Sequence, residues 1–200
     1  MLKLQGIAVS SGVTIGEALV LDSEGFRIPR RFVARSAVDT ELQRLSNAIA
    51  ESTAEIKKNR DAVRGELGEQ YAAIFDAHLE MLHDQRLQEE LTNAVRERNW
   101  WPEYAVSRTL RRYAKVFQKL DNHIAQRAHD IYDIEKSLLR NLLGQRRETL
   151  ASISEPVVIL AHNLTPSETA NLDRRFVKGF ATELGGPGSH TAIRSEEHTS

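Results

Sequence analysis

The chain has 200 residues, 40% hydrophobic and 28% charged, and its 27 basic and 28 acidic residues leave a formal net charge of -1. That length holds one or two domains with real cores, and that balance excludes the broad basic footprint of a nucleic-acid binder. With no cysteine, no apolar run of membrane-spanning length and no signal-peptide core after Met1-Leu2-Lys3-Leu4-Gln5, disulfides, thiol chemistry and a membrane span are excluded and a cytoplasmic globular protein is expected.

Ile7-Ala8-Val9 and Ala18-Leu19-Val20-Leu21 are apolar runs of strand length, punctuated by Ser10-Ser11-Gly12 and Gly16. A polar connector follows around Gly25 to Arg31. Ser36 with Asp39 three residues on resembles a capping box, and predicts a helix start. Val38, Leu42, Leu45, Ile49, Ile56, Val63 and Leu67 then recur at three- and four-residue steps or their multiples, the pattern of a long amphipathic helix. Gly65-Glu66-Leu67-Gly68 predicts a break. A second helix, Gln70 to Leu82, carries Ile74, Phe75, His78, Leu79 and Leu82 on one broad face. A third is read from Asp84 to Arg98, with Leu87, Leu91 and Val95. Trp100-Trp101-Pro102 marks a junction. Runs from Tyr104 to Leu120 and from His123 to Leu143 complete a bundle closed by Gly144 as C-cap.

Beyond Gly144 the texture returns to strand and turn. Pro156 to Ala161 reads as a buried strand, and Val177 to Thr182 as another. Between them, Thr165 stands at an N-cap with Pro166 at the first helical position. The resulting architecture is an α/β unit split in sequence, residues 1–24 and 147–193, with an all-helical subdomain inserted at 35–146. His123, His129 and His162 show no metal-ligand spacing, so no metal site is read. Leu184-Gly185-Gly186-Pro187-Gly188-Ser189-His190-Thr191-Ala192-Ile193 is a glycine-rich turn delivering a histidine to a helix start. Free N–H groups and the positive dipole end at such a point favour an anion, and glycine lets the backbone approach it. From spacing alone, His190 is read either as a nucleophile or as an ordinary loop histidine.

Several segments resemble, in order, Enzyme I of the bacterial phosphotransferase system, the phosphoenolpyruvate-protein phosphotransferase family. They are Gly6 to Gly16, Ala73-Ile74-Phe75-Asp76-Ala77-His78 with Met81-Leu82, Arg127-Ala128 through Leu138 to Gly144, Leu164-Thr165-Pro166-Ser167-Glu168-Thr169, and Gly185 to Ile193. The resemblance implies an α/β phosphohistidine subdomain split by an inserted helical subdomain that binds the carrier HPr. It implies that His190 accepts the phosphoryl group of phosphoenolpyruvate and passes it to the histidine of HPr, as a general component of the sugar phosphotransferase system. By the same resemblance Thr169 hydrogen-bonds the active histidine, and Gly185, Gly186, Ser189 and Thr191 support the phosphate. His78, Met81, Leu82, Leu87, Ile124 and Arg127 fall at the HPr-docking positions. In the full family a C-terminal barrel binds phosphoenolpyruvate and Mg²⁺ and makes the homodimer. Direct labelling by phosphoenolpyruvate is therefore expected to need that half.

Two departures stand out. Pro187-Gly188 occupies positions where many members have Arg-Thr, which removes one phosphate contact. Arg194-Ser195-Glu196-Glu197-His198-Thr199-Ser200 does not continue the family pattern, and back-translates onto a common sequencing-library adapter, so 194–200 is read as a non-native tail. Two other readings remain: a swivelling phosphohistidine domain of a pyruvate-phosphate dikinase or phosphoenolpyruvate synthase, and a docking module that binds HPr without transfer.

Overall fold

A computed structural model describes residues 5–21, 28–120, 127–144, 153, 155–173 and 175–183. The chain divides into two compact units, Met1–Glu24 with Glu148–Ser200, and Gly25–Arg147.

The second unit is the helical one. A 3-10 turn, Arg35–Ala37, leads into α1 (Val38–Leu67). Leu45, Ala48, Ser52, Ile56, Asn59 and Val63 form its buried stripe, each three or four residues from the last. Gly68 ends α1 and opens α2 (Glu69–His83) in a single residue with φ of 95°, a conformation that glycine adopts without a Cβ clash. Asp84 caps α3 (Gln85–Arg96) by accepting from the Leu87 amide at 2.8 Å. Pro102 then opens α4 (Pro102–Phe117), where its missing N–H costs nothing. α5 (Ala128–Leu142) ends at Leu143, and Gly144 follows with φ of 63°. α1 packs on α2 and α5, and α4 on α5. Phe75, Leu82, Leu87, Leu91, Leu110, Ile131, Ile134 and Leu138 fill the core.

The other unit holds β1 (Glu17–Leu21), β2 (Val157–Ala161) and β3 (Val177–Thr182), with one short helix, α6 (Pro166–Thr169). The strands are parallel in the order β1-β2-β3. β1 and β2 are neighbours in the sheet although the helical unit separates them in sequence. Ile159, Ala161, Leu164, Leu172 and Val177 make the core of this unit, with Leu21, Ile153 and Phe180 packed against it. The molecule is thus mostly helical with a small parallel sheet, the fold class expected.

Two local expectations fail. Ile7-Ala8-Val9 is not a strand, because Ile7 is 76% exposed and no strand among the described residues pairs with it. A short apolar run has no strand of its own without a partner ladder. Ser36 does not cap a helix, because it lies within the 3-10 turn and Ala37 takes the N-cap position with no side-chain bond.

Candidate functional site

In the sheet unit, the last rung is Leu21, Ala161 and Thr182, aligned in register. The chain leaves β2 at this carboxyl edge and enters α6 through a full capping box. The Thr165 hydroxyl accepts from the Glu168 amide at 3.3 Å, and the Glu168 carboxylate accepts from the Thr165 amide at 2.9 Å. Thr169, on the same turn, is buried at 4% exposure. Its hydroxyl donates to the carbonyls of Pro166 at 2.9 Å and Thr165 at 3.2 Å. With its one proton committed, that hydroxyl can meet an imidazole only as an acceptor, from a ring N–H. His190, Gly185, Gly186, Ser189 and Thr191 lie outside the described residues.

In the helical unit, four of the six docking candidates meet. His78, Met81, Leu87 and Arg127 line one cavity of about 420 Å³, together with Tyr113 and Phe117 among others. Its walls come from α2, the start of α3, the end of α4 and the start of α5. Leu82 is not among them: at 2% exposure it faces the core, and Leu87, although it backs the cavity, is 1% exposed, so burial removes both from any docking surface. Ile124 lies outside the described residues. Arg127 is exposed at the rim.

His78 is 1% exposed, so it forms the wall's interior rather than its surface. Its Nε2 stands 3.6 Å from Asp130 Oδ1 and its Nδ1 stands 3.8 Å from Asp133 Oδ2, with the Phe75 ring edge-on at 6.0 Å. Asp130 and Asp133 received no role from sequence. Their spacing of three on α5 puts both carboxylates on one helix face, and that was the available signal. Glu80 and Asp84 add negative charge to the lining, against Arg127. Burial, reinforced by a 2.9 Å hydrogen bond to Glu90, raises the Tyr113 phenol above its ordinary value and keeps it a donor. A larger groove of about 640 Å³ between α3 and α4, lined by Arg86, Arg108, Arg112 and Glu89, contains none of the candidate residues.

A family model described as "PEP-utilising enzyme, N-terminal" matches residues 5–127, and one described as "PEP-utilising enzyme, mobile domain" matches 153–199. The chain belongs to the PEP-utilising enzymes. The mobile-domain match contains Thr169 and His190, and runs through the segment set apart above as a tail. The phosphoenolpyruvate-protein phosphotransferase of Priestia megaterium is 39% identical over 192 residues, covering 96% of this chain and 33% of that protein. That of Bacillus subtilis strain 168 is 37% identical, with 96% and 34% covered. The chain therefore spans about a third of the length of these curated relatives. An NMR solution structure of Enzyme I (nEIt) superposes with a TM-score of 0.78 at 33% identity, over 98% of this chain and 80% of that one. The structure titled N-terminal domain of Enzyme 1 - Nitrogen shares the fold at 23% identity, with a TM-score of 0.69. Within the PEP-utilising enzymes, then, this chain corresponds to the N-terminal domain of Enzyme I.

Proposed function

We propose that this chain is a phosphoryl relay. His190 accepts a phosphoryl group that originates on phosphoenolpyruvate and transfers it to the histidine of HPr, which docks on the helical unit. The observation that carries the reading is the convergence of His78, Met81, Leu87 and Arg127 on one cavity. These residues were selected by resemblance alone, from three separate stretches of chain. The cavity joins apolar Met81 and Phe117 to a lining that includes Glu80, Asp84 and Asp130, which suits a partner patch carrying basic and apolar side chains.

Imidazole suits a reversible relay. At neutral pH it offers an unprotonated nitrogen as nucleophile, and its protonated adduct is a good leaving group. In the transfer, the new N–P bond forms on one ring as the N–P bond to the other breaks. Thr169, which can only accept, would hold the acceptor ring's N–H and leave the other nitrogen's lone pair for attack. Phosphoenolpyruvate binding and its Mg²⁺ belong, on this reading, to the part of the relatives beyond the span of this chain. Among the described residues no group of three or more His, Asp or Glu could hold a metal ion.

Phosphorylated HPr mixed with the chain tests the proposal. Acid-labile label should move to the chain, and His190→Ala should abolish labelling while HPr still binds. Label that survives His190→Ala, or its absence from the unaltered chain, overturns the relay.

A further inference from the structure

We propose that Tyr113 fixes a basic side chain of the docking partner, accepting its N–H at the phenol oxygen, and that Glu90, itself held by Arg112, braces the phenol for this contact. The inference rests on the docking part of the relay reading and adds a residue that the resemblance did not supply.

Arg112 and Tyr113 are neighbours on α4, and Glu90 meets them from α3. Tyr113 Oη donates to Glu90 Oε2 at 2.9 Å, while Arg112 pairs with Glu90 Oε1. The Arg112 guanidinium also lies over the Tyr113 ring, 5.3 Å from its centroid. Consecutive residues of a helix do not face each other, so a carboxylate from a second helix is what joins these two. Each of the three side chains touches the other two. The ring, the hydroxyl proton and the neighbouring cation are thus placed before a partner arrives, and such ordering in the free protein lowers the cost of binding.

The chemistry of the oxygen follows from that bond. A phenol has one proton, and Tyr113 gives it to Glu90, so its oxygen can only accept from a partner. Burial, then the hydrogen bond and charge of Glu90, raise this phenol above its ordinary value; the charge of Asp84 adds to the rise and that of Arg112 opposes it. The oxygen stands in the field of two carboxylates, and one of them, Asp84, lines the docking cavity with it. A cationic N–H donor is drawn to such a place, and a carboxylate is repelled from it.

Position gives the phenol access to a partner. Tyr113 lines the cavity with Met81 and Phe117, and all three are half-buried. Glu80 and Asp130 add carboxylates to the same lining, against the guanidinium of Arg127. Tyrosine is among the side chains that most often anchor an interface. Stability does not account for the cluster. The side chains of Arg112 and Glu90 are 53% and 31% exposed, and ion pairs so open to water contribute little to a fold.

The test is titration of HPr into the chain at constant ionic strength, beside thermal melts. Tyr113→Phe keeps the ring and removes the acceptor, and should weaken binding about tenfold with Tm shifted by less than about 2 °C. Glu90→Ala should weaken binding severalfold in the unaltered chain. In the Tyr113→Phe background it should weaken binding no further, because the brace then has no hydroxyl to hold. A pure effect of the lost negative charge would persist in that background, and that result overturns the bracing. Binding by Tyr113→Phe within about twofold of the unaltered chain, with Met81→Ala weakened, overturns the contact and leaves the docking reading standing. An ordinary tie between α3 and α4 predicts that result, with a fall in Tm instead. Met81→Ala and Tyr113→Phe both without effect put HPr elsewhere, and this proposal falls with the docking reading.

Discussion

Arg44 and Glu103, separated by 59 positions in sequence, meet as an ion pair that ties α1 to α4. The Arg44 guanidinium also donates to the Leu142 carbonyl at 2.8 Å and to Glu41 at 2.5 Å, so α1, α4 and the carboxyl end of α5 share one cation. Glu103 is only 3% exposed, and among the described residues its ion pair is with Arg44. Arg44→Met should therefore strand a buried carboxylate. The loss should be about 2–3 kcal/mol, below the range for a fully buried pair because Arg44 itself is partly exposed. Arg44→Met with Glu103→Gln should recover most of it. Denaturant unfolding of the three variants measures the difference.

Gly65 and Gly68 look alike in sequence and should respond oppositely. A Cβ at either would meet nothing within 4 Å, so sterics with neighbours do not decide. Gly65 lies inside α1, and Gly65→Ala should stabilise by about 0.5–1 kcal/mol. Gly68 has φ of 95°, and Gly68→Ala should destabilise by about 1 kcal/mol or more. Calorimetry should show the two shifts of Tm with opposite signs, about 2–4 °C for each kcal/mol.

Met81 and Leu82 are adjacent, yet one lines the docking cavity and the other is in the core. Leu82→Ala should cost about 2–5 kcal/mol of stability. Met81→Ala should leave Tm nearly unchanged and weaken HPr binding by about tenfold, as for an interface anchor. Titration calorimetry beside thermal melts separates the two effects.

Glu135 supplies the pH dependence. Burial raises its carboxyl above the ordinary value, and hydrogen bonds from Ser107 and Arg111 only partly offset this. The unfolded chain therefore ionises this group at lower pH than the folded one does. Ionisation costs the folded state stability above the unfolded pKa, and that cost vanishes below it, where both states are protonated. Glu135→Gln keeps an acceptor for both donors and should raise Tm by a few degrees at neutral pH. The gain should shrink as pH falls through the raised folded value and be gone below about 4, which melts from neutral pH downward would show.

The helices were legible because their apolar residues repeat at the helical period and their ends carry Gly68, Pro102 and Gly144, each with a backbone reason to stand there. That period also puts His78 on the same face as Phe75, Leu79 and Leu82, and it is buried with them, although the resemblance gave it a docking position. Thr165 with Pro166 announced α6 for the same kind of local reason. What local pattern does not encode is pairing at a distance. Nothing near Arg44 points to Glu103, nothing near His78 points to Asp130 and Asp133, and nothing near Tyr113 points to Glu90. Ile7-Ala8-Val9 failed as a strand for the converse reason, since a run of three apolar residues fits a ladder only where another strand lies beside it. Asp130 and Asp133 joined the site only once α2 and α5 were packed together.

The most direct measurement is where the phosphoryl group sits. The chain has seven histidines. Incubation with phosphorylated HPr, digestion at alkaline pH and mass spectrometry of the peptides should find one phosphoryl group, on the peptide and at the ring of His190. Phosphate on any other histidine with His190 unmodified, or on none, would contradict the relay.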